Sequence, residues 1–118
     1  MINQGEIWKI NLDPTIGNEI GKARPCVVVS HNNAGRLNLR IIVPITHWKP
    51  HYKNVPWMTI IEPSNLNGLS KDSSADAFQT KSVSVDRFME KLGDITPEQL
   101  SKIHIAIAKT LNTTYSIY

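Results

Sequence analysis

The sequence GNEIGKARPCVVVS, residues 17–30, joins a polar loop with two glycines directly to an unbroken apolar run. The run from Cys26 to Ser30 is rich in β-branched valine, which predicts a strand that other elements cover on both faces. Arg24 stands immediately before Pro25, and a residue in that position is held in extended backbone. We therefore expect a mobile loop to meet an arginine of defined position at the entrance of a core strand.

Further strands are predicted on either side of this run. Residues Glu6 to Leu12 alternate, with Trp8, Ile10 and Leu12 on one face and Ile7 among polar residues on the other, which predicts a half-buried strand. Runs rich in β-branched residues predict three more strands: Leu39 to Val43, which Pro44 ends, Trp57 to Ile61 and Phe78 to Val85.

The clearest local pattern predicts a helix from about Pro97 to Leu111. Thr96 is the expected N-cap, Gln99 completes a capping box, and proline suits the first helical position. The residues of one helical face, which should pack on the sheet, are Leu100, Ile103, His104, Ile107 and Leu111. Short strands with one C-terminal helix predict a mainly β fold, a small, strongly bent sheet or barrel, as a single domain over residues 1–118.

Composition and charge narrow the class of protein. Thirteen Lys and Arg residues against ten Asp and Glu residues give a net charge of +3, which favours an acidic partner without requiring one. The single cysteine, Cys26, excludes an internal disulfide and fits a reducing compartment. No run approaches the roughly 18 apolar residues of a membrane span, and no signal-peptide pattern is present. We therefore expect a cytoplasmic protein that does not associate with membranes.

Several common kinds of active site are excluded by the sequence. It contains no glycine-rich phosphate loop, no nucleophile elbow and no pair of cysteines. His47 and His51 have the spacing of a metal-binding pair on a helix, but Pro50 between them disfavours a helix there. We therefore expect no metal site.

The charged residues of the opening stretch and a distant threonine point to a different chemistry. Glu19, Lys22 and Arg24 also have the composition of an ordinary solvated loop. If the valine-rich strand pairs antiparallel with the next predicted strand, however, Arg24 and Thr46 lie at the same edge of the sheet. A carboxylate, a guanidinium and a hydroxyl at one point suit phosphoryl chemistry, as a base, a cation for the phosphate and a hydrogen-bond donor.

A set of short motifs stands in order along residues 5 to 111 of the chain. The segments are Gly5 to Trp8, Gly17 to Glu19, Arg24 to Ser30, Val43 to Thr46, Lys71 to Ser73, Gln79 to Val83, Leu92 with Gly93, and the terminal helix. Each motif is short, and it is their order that makes the set specific. In this order the motifs resemble the MazF/PemK toxins of bacterial toxin–antitoxin pairs.

The resemblance implies a small SH3-like barrel that forms a homodimer. It also implies a metal-independent, sequence-specific endoribonuclease without a cofactor, which cleaves single-stranded RNA to 2′,3′-cyclic phosphate and 5′-hydroxyl ends. A cognate antitoxin would silence this enzyme by occupying its RNA groove. Toxins of the same barrel type that bind and poison DNA gyrase are the alternative, and the presence of both Arg24 and Thr46 favours the nuclease.

Matched residue by residue, the resemblance assigns Arg24 and Thr46 to the catalytic pair and Glu19 to a loop acid found in part of the family. Arg24 is either a cation for the phosphorane alone or also the acid that protonates the leaving oxygen. Glu19 is either the general base or a residue that orders the loop. Thr46 is expected to donate a hydrogen bond to a non-bridging phosphate oxygen.

A wider set of residues is expected to contact RNA. The polar stretch from Thr46 to Pro56 predicts a long exposed loop, whose aromatic and basic side chains either bind unpaired bases or close the end of the barrel. Three later positions match family positions for RNA contact or for support of the site. The expected RNA-binding residues are Lys22, Trp48, Lys49, His51, Tyr52, Asp72, Ser73 and Gln79.

Overall fold

The computed structural model describes residues 1–112, with the backbone alone at residues 34–36, and these residues form an antiparallel sheet followed by one α-helix. The elements are β1 Glu6–Asn11, β2 Ala23–Val28, β3 Leu39–His47, β4 Met58–Ile61, β5 Ser73–Asp76, β6 Lys81–Ser84, β7 Phe88–Asp94 and α1 Pro97–Thr110. The sheet runs in the order β4-β5-β3-β2-β1-β7, and β6 also pairs with β3. The predicted mainly β class with a C-terminal helix is confirmed. In the described part of the chain no ladder joins the end strands β4 and β7, so the sheet is not closed.

β1 and β2 lie in the middle of the sheet and are buried on both faces. On one face Ile7 and Val27 belong to the core against which α1 packs. On the other face Ile10 and Val28 belong to a second core that Trp8 partly covers. The predicted burial of the valine-rich strand on both faces is confirmed, but the strand spans Ala23–Val28 and not Cys26 to Ser30. The prediction that β1 is half-buried is wrong, because α1 covers the face that carries Ile7.

β3 continues through Pro44, so the prediction that this proline ends the strand is wrong. The first part of β3 pairs with β6 along one edge, and its last three residues pair with β5. The ladder with β2 ends at Cys26 opposite Pro44. Proline has no N–H to donate, and this one stands where β3 loses β2 as a partner. Thr46 therefore lies inside a strand.

The segment from β5 to β6 departs most from the predicted elements. The predicted strand Phe78 to Val85 is wrong at its start, because Ala77–Gln79 forms a short 3-10 turn. Asp76 ends β5, and its carboxylate accepts a hydrogen bond from the backbone N–H of Phe78, which starts this turn. β5 itself has the sequence SSAD, and all four of its residues are buried. No apolar alternation marks it as a strand, which is why the sequence did not predict it.

The C-terminal helix agrees with its predicted N-terminus. Thr96 and Gln99 form the reciprocal capping box, with hydrogen bonds of 3.1 and 2.9 Å. Ile103 is fully buried, and the ring of His104 contacts the carbonyl oxygen of Val29 at 3.0 Å. The prediction that Leu111 packs on the sheet is wrong, because it is the C-cap and 74% of it is exposed. Within residues 1–112, no helix combines the length and the apolar character that crossing a membrane requires.

Candidate active site

Arg24 and Thr46 occupy equivalent positions on two neighbouring strands that separate. β2 and β3 pair antiparallel, which is the condition under which the sequence placed Arg24 and Thr46 at one edge of the sheet, and the last pair of their ladder is Cys26 opposite Pro44. Beyond that pair β2 continues against β1, and β3 continues against β5. Arg24 and Thr46 each lie two residues past the last pair, at the point where the sheet opens.

The side chain of Arg24 is partly buried and points toward the loop that precedes its strand. Arg24 lies inside β2, whereas the sequence predicted it just before the strand. Its Nε donates a hydrogen bond to the carbonyl of Gly21 at 3.2 Å. This bond orients the guanidinium, whose donors can bind two oxygens of one phosphate in parallel. The cation is therefore held at the base of the loop.

Hydrogen bonds order the base of the β1–β2 loop, residues 12–22. The N–H of Leu12 donates to the carbonyl of Lys22 at 2.9 Å, and the Asp13 carboxylate accepts from the N–H of Lys22 at 2.9 Å. The guanidinium of Arg87 donates to the carbonyl of Asp13. The side chain of Lys22 is exposed, at a residue whose φ is 64°. The mobility expected of this loop stays a prediction.

The tip of the β1–β2 loop is bonded to Gln79, which is far away in the sequence. The N–H of Ile20 donates to Gln79 Oε1, and Gln79 Nε2 donates to the carbonyl of Asn18, both at 3.0 Å. One amide thus holds two backbone groups of the loop. Gln79 supports the site in this way, and its predicted contact with RNA stays a prediction.

Glu19 is exposed at the tip of the same loop. Its Oε1 accepts a hydrogen bond from the N–H of Ile16 at 2.6 Å, and its own N–H donates to the carbonyl of Ile16 at 3.2 Å. Gly17 between them has a φ of 59°, which glycine adopts without strain. Glu19 therefore orders the tip of the loop, and its role as a base stays a prediction.

An open cleft of about 410 Å³ lies between the β1–β2 loop and the turn that follows β5. Pro44, from the point where β2 and β3 separate, is the buried residue of its lining. The cleft is lined by Asn18, Glu19, Ile20, Pro44, Phe78, Gln79, Thr80 and Lys81. Sequence reasoning missed Phe78, Thr80 and Lys81 because it placed them in a strand. The available signal was the spacing of Phe78 and Val83. They are five positions apart, so a strand would place them on opposite faces, and Val83 is the buried one.

The predicted RNA contacts next to the end of β3 form an ordered group. The N–H of Trp48 donates to the carbonyl of Asp72 at 3.0 Å, which extends the pairing of β3 with β5. The rings of Trp48 and His51 each meet the ring of Tyr52 edge-on, with centroid distances of 6.0 and 4.6 Å. The prediction of a long loop is therefore wrong in part, because β3 extends into it and Pro50–Asn54 forms a 3-10 helix.

Two more of the predicted RNA contacts differ in their exposure. Lys49 is exposed. Ser73 is buried in β5, and its hydroxyl donates to the carbonyl of Lys71 at 2.8 Å. Ser73 therefore supports β5, which is the strand opposite Thr46, because the neighbouring Ser74 pairs with Thr46.

Further titratable side chains of the described residues are the buried thiol of Cys26, the ion-paired Lys91 and the residue types that could bind a metal. Burial raises the pKa of the Cys26 thiol to about 12, so this cysteine is unreactive at neutral pH. Lys91 forms ion pairs with Glu6 and Asp94. Across residues 1–112, no three His, Cys, Asp or Glu side chains gather into a potential metal-binding group.

The fold and the site together define a small antiparallel β protein in which an arginine and a threonine flank an opening in the sheet below a polar loop. The model of the family of PemK-like, MazF-like toxins of type II toxin–antitoxin systems matches residues 3–111. The chain belongs to this family.

Individual relatives agree with this assignment over most of their length. Endoribonuclease MazF9 of Mycobacterium tuberculosis is 30% identical over 113 residues, which cover 91% of this chain and 93% of that protein. Endoribonuclease MazF of Staphylococcus saprophyticus is 25% identical and covers 91% of this chain and 88% of that protein. The crystal structure of MazF from Deinococcus radiodurans superposes with a TM-score of 0.77 at 23% identity, covering 95% of this chain and 97% of that one, and has the same fold.

Proposed function

We propose that this chain is a sequence-specific endoribonuclease toxin that cleaves single-stranded RNA without a metal or a cofactor. The family match over residues 3–111 supports a toxin, and both relatives named above are endoribonucleases. The observation that carries the proposal is the position of Arg24 and Thr46 where β2 and β3 separate, next to the loop that carries Glu19. These three side chains are the catalytic residues that we propose.

The proposed reaction uses the substrate's own 2′-hydroxyl as the nucleophile. A base removes the proton of this hydroxyl, and its oxygen attacks the adjacent phosphorus. The bond between phosphorus and the 5′-oxygen of the next nucleotide breaks, and that oxygen takes up a proton from the solvent, to which the base later releases the proton that it removed. The products carry a 2′,3′-cyclic phosphate and a 5′-hydroxyl. DNA is not a substrate, because it lacks the attacking group.

Arg24 and Thr46 act on the phosphate in this proposal. An arginine guanidinium keeps its charge at ordinary pH, so Arg24 stabilises the charge that develops on the phosphorane and is a poor proton donor. The hydrogen bond from its Nε to Gly21 supports a fixed position for this cation. The hydroxyl of Thr46 donates a hydrogen bond to a non-bridging oxygen of the phosphate. Removing one such donor typically lowers the rate by roughly 100- to 1,000-fold.

Glu19 is the base in this proposal. One of its oxygens accepts from the N–H of Ile16, which leaves the second oxygen for the 2′-hydroxyl. Bound RNA would bury this exposed carboxylate, and burial makes a carboxylate a stronger base.

We expect Glu19→Gln to lower cleavage by roughly 100-fold, because general-base catalysis typically contributes that factor or more. Glutamine keeps an oxygen that can accept from the N–H of Ile16, so the loop should stay ordered. The measurement is the cleavage rate from pH 5 to 8. An unchanged rate with the same acidic limb would mean that Glu19 only orders the loop.

RNA binding in this proposal extends from the catalytic residues to both sides. The exposed lysines Lys22 and Lys49 bind phosphates, which makes the affinity dependent on salt. The contacting rings of Trp48, His51 and Tyr52 stack on unpaired bases. Asp72, Ser73 and Gln79 support these contacts through the strand and the loop that they hold.

The proposal includes a cognate antitoxin, a homodimer and a cytoplasmic location. The family membership supports an antitoxin, and a mycobacterial endoribonuclease of the same fold, with a TM-score of 0.76, was solved in complex with its cognate antitoxin. An RNA substrate supports action in the cytoplasm. Light scattering of the purified chain tests the dimer, and rescue of growth by the product of a neighbouring gene tests the antitoxin.

The experiment that tests the proposed reaction is cleavage of mixed-sequence RNA in excess EDTA, with both new ends mapped. We expect cuts at one short sequence, with cyclic phosphate and 5′-hydroxyl ends, and no cleavage of DNA. Arg24→Ala should abolish cleavage, whereas Lys102→Ala, which removes an exposed cation from α1, should not. Uncut RNA, or cleavage that requires added metal, would overturn the proposal.

A further inference from the structure

Phe78 is an aromatic side chain at the edge of the cleft, and 63% of it is exposed. Contacts of its backbone and of its ring both fix its position. Its backbone N–H is bonded to the Asp76 carboxylate at 3.1 Å, and its ring lies against Trp57 with a centroid distance of 5.1 Å and an interplanar angle of 54°. An exposed aromatic ring, held by these contacts, thus lies at the cleft that Pro44 joins to the point where β2 and β3 separate.

The rest of the cleft combines groups that would suit a nucleotide. The side-chain amide of Asn18 offers both a donor and an acceptor to the edge of a base. Lys81 brings a positive charge to the same cleft. The volume of about 410 Å³ lies within the usual range for small-molecule sites, about 300–1,000 Å³.

The backbone walls of this cleft are held in place by the Gln79 amide, which bonds the loop at Ile20 and Asn18. A preformed wall lowers the entropic cost of binding a flexible single strand. An open cleft with mixed polar and apolar lining favours a planar, polar-edged ring over an aliphatic side chain.

We propose that this cleft is a nucleobase pocket, in which Phe78 stacks on one unpaired base of the RNA and so helps to decide which sequence is cut. The proposal rests on the proposed endoribonuclease function and names a specificity-determining residue for it. Phe78 takes no part in the bond-breaking step.

The test compares Phe78→Ala, Phe78→Leu and Phe78→Trp with Met89→Ala, a control that removes an apolar side chain, 56% exposed, from β7. Each protein is given mixed-sequence RNA, and the cut sites are read. Binding is measured with an oligoribonucleotide of the wild-type cut sequence that has a 2′-deoxy nucleotide at the scissile position. Stacking of one base on an aromatic ring is typically worth about 1–3 kcal/mol, which corresponds to roughly 5- to 150-fold in affinity.

We expect Phe78→Ala and Phe78→Leu to bind roughly 5- to 150-fold more weakly, to raise KM more than they lower kcat, and to accept any base at one position of the cut sequence. Phe78→Trp should restore both affinity and preference, and Met89→Ala should behave as the wild type. An unchanged cut sequence and KM in Phe78→Ala would overturn the proposal. Wild-type RNA affinity and cut-site preference in Phe78→Leu would also overturn it. So would a Phe78→Ala variant that loses only antitoxin binding, since either result would identify the cleft as a contact for a protein side chain.

Failure of the nuclease proposal is distinguishable from failure of this one. If the wild-type protein leaves RNA uncut, the pocket is tested on its own with a random 2′-O-methyl RNA 20-mer, which no 2′-hydroxyl attack can cleave. Weaker binding of this probe by Phe78→Ala than by Met89→Ala would support the pocket, and equal binding would overturn it.

Discussion

Glu6 illustrates how a single buried carboxylate depends on its partners. Burial raises its pKa, but hydrogen bonds from Trp8 Nε1, the N–H of Asn3 and the Lys91 ammonium outweigh burial, so the pKa of Glu6 is lowered from its ordinary value of 4.5. A carboxyl group with a lowered pKa in the folded state stabilises the fold above about pH 4.5, its pKa when unfolded. That contribution is lost as the pH falls through the folded pKa.

We expect Glu6→Gln to lower the free energy of unfolding by about 1–2 kcal/mol at pH 7, because hydrogen bonds to a charged group become bonds to a neutral amide. The difference from the wild type should shrink as the pH falls below 4.5 and vanish in strong acid. Urea unfolding at pH 7, 4 and 2.5 measures it. Glu62→Gln, at an exposed carboxylate, is the control. A constant difference at all three pH values would contradict the assignment.

At the scale of elements, the β1–β2 loop is linked to the β5–β6 turn by one side chain. Gln79 bonds the loop at Ile20 and Asn18, residues that are 59 and 61 positions away in the sequence. The loop carries the proposed base, and Arg24 is bonded to its last part through Gly21. The position of the turn therefore affects the position of both.

We expect Gln79→Ala to release the loop tip, because both backbone groups lose their partner. Hydrogen exchange at Ile20 should become roughly tenfold faster or more, since about 1–1.5 kcal/mol per hydrogen bond is lost. Cleavage should fall with little change in the free energy of global unfolding. Gln79→Glu keeps the acceptor for Ile20 but sets an oxygen against the carbonyl of Asn18, so we expect an intermediate effect.

A protected loop tip in Gln79→Ala would contradict this role for the bridge. Gln4→Ala is the matched control, because Gln4 also donates its side-chain amide to a distant carbonyl, that of Val29, and its hydrogen bonds among the described residues go to Val29 and Asn32 and not to the loop. This control should leave exchange at Ile20 and cleavage unchanged.

At the scale of the whole molecule, α1 covers one of the two cores of the sheet. Ile103 is fully buried in the core that contains Ile7, Val27 and Val43. The same core contains Ile45 and Ala75 of β3 and β5. Packing of the helix therefore stabilises the strands on both sides of the point where β2 and β3 separate.

We expect Ile103→Ala to lower the free energy of unfolding by about 2–5 kcal/mol, through lost burial and a cavity. Ile105→Ala is the control on the same helix, with 54% of its side chain exposed, and should change the stability by less than about 0.5 kcal/mol. Chemical denaturation measures both. Equal effects would show that α1 does not cover the core as described.

The sequence by itself determined those elements whose pattern lies within a few consecutive residues. The valine run of β2 predicted a strand buried on both faces, and the capping box around Thr96 predicted where α1 begins. The ordered motifs also predicted the toxin family, which residues 3–111 match. The sequence placed Arg24 and Thr46 at one edge of the sheet on the condition that β2 and β3 pair antiparallel, and they do pair in this way.

Only the tertiary structure decided the features that depend on partners distant in the chain. β5 is a strand because β3 and β4 pair with it on both sides, although its small polar residues carry no apolar pattern. β3 continues past Pro44 because β5 becomes its partner where β2 ends. Gly93 is required because the turn at Leu66 approaches so closely that a Cβ there would lie 2.4 Å from a backbone oxygen.

The β1–β2 loop shows the same division within a few residues. Its glycines and charges are readable from the sequence, but its contact with Gln79 and the cleft beside Phe78 are not. The physical reason is that backbone propensity and apolar periodicity act over a few neighbouring residues, whereas a hydrogen bond across some 60 positions depends on the complete packing of the sheet.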